Sequence, residues 1–243
     1  MKISMKAIIL ITLLFFLSPF SIQAQKDIKG SGYVLTQQRE LEKFTSIELS
    51  SGIDMALVQG DLQPVIVEAD DNLFPYIKTV VRDQVLKIYI PDTVRITKYA
   101  DMNVLISIPT LCDLNAARGS HIDASPELWN VESIRLEATS GARIKIHLKS
   151  TQTTVIGKTS GILDIKGHIV NLKAFLKTGA RLNAKNLAAD QAQLHLSTGA
   201  RAELEVRDSL QYNLVGNARL LLRGNPVITH SQLHSGSKLM REK

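Results

Sequence analysis

Cysteine is nearly missing from this sequence: among 243 residues Cys112 stands alone. No intramolecular disulfide can form, so the fold must rest on its packed core. Cys112 itself reads as a small buried hydrophobe rather than a reactive thiol. Aromatic residues are also scarce, at 5% of the chain, which argues against a surface that stacks nucleic-acid bases. Long runs of one charge, zinc-finger spacings and basic helices are absent too. The formal net charge is +6, but acidic and basic residues are interspersed, so nucleic acid is not an expected partner. The longest apolar run, Ala7 to Leu17, is eleven residues. That is too short to span a bilayer.

What is present begins with that short run. Lys2 and Lys6 precede it, Pro19 breaks it, and Ile22-Gln23-Ala24 ends on a small residue. This pattern predicts a signal peptide over residues 1–24, cleaved to leave Gln25 first. No cysteine follows the run, so a lipoprotein is not expected. The expected location is the periplasm, the outer surface or the medium, with no stable membrane span after cleavage.

Residues 25–43 are polar and read as a linker or edge strand. From 44 to 111 the chain reads as short strands joined by turns. Ile77–Val81 and Val85–Ile90 flank Arg82-Asp83-Gln84 as a hairpin, and Val104–Ile108 ends at Pro109. Over residues 134–148, Ile134, Leu136, Ala138, Ala142, Ile144, Ile146 and Leu148 share one parity. Arg135, Glu137, Arg143, Lys145 and His147 share the other. Successive strand side chains point to opposite faces, so one face is buried and one is wet.

A short motif recurs: Ser140-Gly141-Ala142-Arg143, Thr178-Gly179-Ala180-Arg181 and Thr198-Gly199-Ala200-Arg201. Looser copies place glycines at 119, 161, 216 and 236, so that a glycine returns about every twenty residues. Such a repeat predicts an all-β solenoid in which parallel rungs stack about 4.8 Å apart around a continuous interior. Glycine suits a corner or bulge. Near Gly161 the parity breaks, and near Gly216 the arginine follows three residues later rather than two; bulges or altered corners are expected at both. A β-sandwich is the competing architecture.

The chain resembles the auto-transporter adhesin, head GIN domain family of exported Bacteroidetes-type proteins. The resemblance lies in the order Phe44-Thr45-Ser46-Ile47-Glu48-Leu49, Ser51-Gly52-Ile53-Asp54, Val58-Gln59-Gly60-Asp61, Val65-Ile66-Val67-Glu68-Ala69, Leu73-Phe74-Pro75-Tyr76-Ile77 and Val85-Leu86-Lys87-Ile88, completed by the Ser/Thr-Gly-Ala repeats. It covers about residues 44–237 and leaves 238–243 as a polar tail. It implies a right-handed parallel β-helix-like head exported to the cell envelope. Asp54 stands where the family often has Asn. Residues 224–243 are short and polar-ended, so no C-terminal membrane barrel is expected.

Counting two residues past each central glycine gives an outward stripe: His121, Arg143, Leu163, Arg181 and Arg201. Guanidinium groups suit carboxylates, sulfates and phosphates, so His121, Arg143, Arg181 and Arg201 are candidate contacts for acidic glycans or lipopolysaccharide phosphates. Glu137 and Glu203 share the outward parity and could neutralise them, leaving a merely solvated face as the alternative. His230 and His234 lack a third metal ligand, and Asp70-Asp71-Asn72 reads as a turn rather than a calcium site. No metal or cofactor is expected. Carboxylates do not recur at one phase, so the expected function is a non-enzymatic envelope-binding or adhesin-like module. A polysaccharide-active β-helix enzyme and an end-to-end structural component are the alternatives.

Overall fold

The computed structural model describes residues 25–242; the predicted signal peptide lies outside the described residues. The chain forms a β-solenoid of about 7 turns with rungs of about 19 residues. Alternating apolar residues on every rung point inward, because strand periodicity is two. They build one interior from Ile47 and Leu86 at one end to Leu220 and Leu222 at the other.

The regular part consists of five long, bent strands: β11 (His121–Thr139), β12 (Arg143–Lys158), β13 (Ile162–Leu176), β14 (Arg181–Ser197) and β15 (Arg201–Val215). Each pairs in parallel with the next. They bend as they wind and stay within one continuous 16-stranded sheet. Register shifts mark bends at Ala124/Leu128, Asp164/Gly167 and Ala184/Ala188. β16 (Arg219–Arg223) and β18 (Lys238–Arg241) continue the stack on the first half of β15, and β17 (Val227–Leu233) continues it on the second half.

Tight corners join the long strands. At each, two consecutive residues adopt positive φ: Ser140 and Gly141 (53° and 74°), Thr178 and Gly179 (54° and 72°), Thr198 and Gly199 (52° and 74°). The two irregular repeats have the same corner. Thr159 and Ser160 take the left-handed pair in one, Gly216 and Asn217 in the other. The bulges expected near Gly161 and Gly216 are therefore not there; glycine has slipped by one residue against an unchanged corner.

The start of the chain departs from simple winding. β3 (Ser46–Leu49) and β4 (Asp54–Gln59) form one rung, with its corner at Ser51-Gly52. β7 (Val85–Tyr89) and β9 (Met102–Ile108) form the rung outside it. β10 (Asp113–Ala116) then returns to pair with β3 from the inner side. Three antiparallel pairings border this end: β5 (Val65–Asp70) on β9, β2 (Val34–Arg39) on β5, and β6 (Lys78–Arg82) on β7. β1 (Lys26–Lys29) pairs with β8 (Val94–Lys98) in a separate two-stranded sheet. Cys112 is exposed, contrary to expectation. It lies just before β10, where Leu111 (1% exposed) already fills the inward position.

Candidate functional site

The interior determines where the candidate residues stand. The first corner ends on buried Ile53, and every later one ends on a small buried residue: Ser120, Ala142, Gly161, Ala180, Ala200, Ala218 and Ser237. Room is shortest at Gly161, where a Cβ would lie 2.0 Å from the Ala138 carbonyl oxygen. The next residue must then point outward. Strand pairing aligns those residues in one column: Asp54, His121, Arg143, Ile162, Arg181, Arg201, Arg219 and Lys238.

His121, Arg143, Arg181 and Arg201 thus share one column. The stripe needs two corrections. Ile162, not Leu163, stands in it, because Gly161 takes the small buried position and turns Leu163 inward (0% exposed). Arg219 was missed because Gly216 sits one place earlier in its corner; Lys238 lies two residues after Gly236, and the count stopped short of it. A count from the small residue finds them at once, in Ala218-Arg219 and Ser237-Lys238.

The column divides into two halves of different charge character. In the first half each basic side chain meets a carboxylate. His121 Nδ1 lies 3.2 Å from Asp54, Arg143 Nε 3.0 Å from Asp164, and in the adjacent outward column Lys145 Nζ lies 3.2 Å from Asp123. Burial pushes the Asp123 carboxyl upward, but hydrogen bonds from Ser125 and Lys145 outweigh it, and the net shift is below the ordinary carboxylate range.

In the second half Arg181, Arg201, Arg219 and Lys238 are all exposed and occupy four successive rungs. Among the described residues none of these four side chains meets a carboxylate. The adjacent outward column offers Asn183, Glu203, Leu221 and Met240. Its one acid, Glu203, is ion-paired with Arg223. Glu137 does not neutralise the ladder either. It lies near the end of β11, where Arg135 and Lys158 hold it. On the corner side the ladder is bordered by exposed Thr178, Thr198, Asn217 and Ser235. Neighbouring cations about 4.8 Å apart repel by at most about 0.9 kcal/mol per pair in water. All lie within roughly one or two Debye lengths, so their potentials add.

The last parts of β12, β13, β14 and β15 carry a shallow groove of about 380 Å³. Phe175 and His195 stack along its wall with ring centroids 5.2 Å apart, with Ile156 and Val215 beside them. Asp70, named in the sequence as part of a turn, is fully buried. Its carboxylate accepts backbone hydrogen bonds from Gly32 (2.8 Å), Ala100 (2.9 Å) and Asp101 (3.2 Å). It is a structural staple. His230 and His234 are both exposed. Among the described residues no three His, Cys, Asp or Glu side chains are placed to hold a metal ion.

Residues 43–226 match the family model described as "Putative auto-transporter adhesin, head GIN domain". The chain belongs to this family. Three solved structures share the family member's fold. A "putative adhesin" from Bacteroides fragilis has a TM-score of 0.82 at 16% identity, covering 88% of this chain and 100% of that one. A "putative lipid binding protein" from Parabacteroides distasonis gives 0.74 at 18%, covering 90% and 100%. A "putative adhesin" from Parabacteroides merdae gives 0.68 at 15%, covering 89% and 99%. Among curated proteins none matches the chain. Among the described residues no helix is long and apolar enough to cross a membrane.

Proposed function

We propose that this protein is an exported, non-enzymatic binding module of the cell envelope that holds anionic glycans on its basic ladder. The observation that carries the reading is the run of four exposed, unpaired cations on successive rungs. An array of this kind left without carboxylates presents a concentrated positive field to a ligand with several anionic groups. Family membership and the adhesin-like fold support a binding role. So does the state of the carboxylates: Asp54, Asp123, Asp164, Glu137 and Glu203 are each committed to a cation. A glycosidic mechanism needs one acid that stays protonated to donate to the leaving group; Asp123 and Glu137 are shifted downward, and Asp113, which burial pushes upward, is held by Arg135.

The test is retention on immobilised heparin. Replacing Arg181, Arg201 and Arg219 together with serine removes three contacts worth about 0.2–1 kcal/mol each. Retention is expected to weaken roughly tenfold, while the melting temperature stays close to wild type because all three side chains are exposed. Unchanged retention refutes the reading.

A further inference from the structure

We infer that the ligand of the ladder is a linear acidic polysaccharide with one anionic group on every sugar, lying extended along the solenoid axis with one sugar per rung. This rests on the anion-binding reading above and adds register to it.

The argument is geometric. Strand pairing brings a cation back to the same place on every rung, at a repeat of about 4.8 Å. That repeat is close to the advance of one pyranose unit along an extended chain. A polymer with an acid on each sugar sets one sugar over each of Arg181, Arg201, Arg219 and Lys238, and the long exposed arms of these residues follow acids that the twist of the chain turns to either side. Guanidinium heads suit planar or multi-oxygen anions.

The borders of the ladder fit a sugar as well. Thr178, Thr198, Asn217 and Ser235 supply one exposed hydroxyl or amide per rung on the corner side, in place to exchange hydrogen bonds with sugar hydroxyls. Asn183, whose Nδ2 donates to Asp164 at 2.7 Å, adds its amide oxygen on the other side. Neither border holds an aromatic residue, so a single-stranded nucleic acid would find no stacking partner there.

The ladder also has a defined length. Ile162 interrupts it, and beyond Ile162 Arg143 is held by Asp164. Lys238 occupies the last described rung. Among the described residues the site therefore spans four sugars, roughly 14 Å between its first and last cation.

The experiment is calorimetric titration of the purified protein with oligogalacturonates of two to six sugars. Affinity is expected to rise roughly threefold with each added sugar, the scale of one exposed ion pair, and to level off at the tetramer. Ile162→Arg adds a fifth cation in register and should move the plateau to the pentamer. This gain does not depend on damaging the protein. Hyaluronan fragments, with a carboxylate on alternate sugars, should gain about half as much per sugar. If affinity follows total charge alone, or the plateau is unmoved by Ile162→Arg, the register is wrong while anion binding stands. If no acidic oligosaccharide binds, both readings fall.

Discussion

Gly161 and Gly141 lie in neighbouring repeats and look equivalent in sequence, yet they answer different demands. Gly141 occupies the second left-handed position of its corner (φ 74°), and a Cβ there would meet nothing within 4 Å. What it must supply is a backbone conformation. Asn217 supplies the same conformation in its own rung (φ 62°), and asparagine tolerates it better than most residues. Gly161 lies one place further on, in the buried column of small residues, against the Ala138 carbonyl. Two substitutions separate these roles. Gly141→Asn should cost less than about 1 kcal/mol. Gly161→Ala should cost about 1–3 kcal/mol by overpacking, lowering the melting temperature by several degrees. Thermal unfolding of the two variants checks this, and equal losses would contradict the assignment. The same distinction explains the apparent irregularity of the repeats. Glycine and arginine are the visible letters of the motif. The invariant of the corner is a left-handed pair, then a buried residue, then an outward one. Ser, Thr and Asn can fill the left-handed pair, which hides it from a search keyed on glycine.

At the scale of elements, parity identified the strands and corner chemistry set their joints. β3 was legible to the residue, and the β6–β7 hairpin to within one residue at each end. The interleaving of the first rungs was not legible. Nothing in the alternation of β3, β4, β7 and β9 says which rung lies outside which, because all four carry the same buried parity. The staple that ties this region together was also hidden. Asp70 ends β5 and accepts from Gly32, just before β2, and from Ala100 and Asp101, just before β9. Burial raises its pKa, but the backbone donors outweigh this and hold it below the ordinary carboxylate range. A carboxylate depressed on folding contributes stability that is complete above its unfolded pKa and is lost as pH falls through its folded value. The protein should therefore lose stability below about pH 4. Asp70→Asn leaves a backbone donor unmatched and should cost about 1–3 kcal/mol at neutral pH. Its melting temperature should then fall less than that of wild type between pH 6 and pH 3. An equal acid response in both proteins would show that other carboxylates carry the effect.

At the scale of the whole molecule, stacking turns a one-dimensional repeat into a surface with direction. The same column that is neutralised by Asp54 and Asp164 near the start becomes an unpaired cationic ladder after Ile162. That division was only partly legible. The outward phase of His121, Arg143, Arg181 and Arg201 follows from counting along the chain. Which of them are free does not follow, because their partners come from other rungs: Asp54 is 67 residues from His121, and Glu203 is drawn away by Arg223. The account makes the free half the binding surface and the paired half a bystander. Arginine footprinting by mass spectrometry, with and without polygalacturonate, tests this most directly. Arg181, Arg201 and Arg219 should become protected together from an arginine-specific reagent, while the ion-paired Arg95 and Arg143 keep their free-protein reactivity. Protection centred on any other part of the surface, or no protection of the three, would contradict the account.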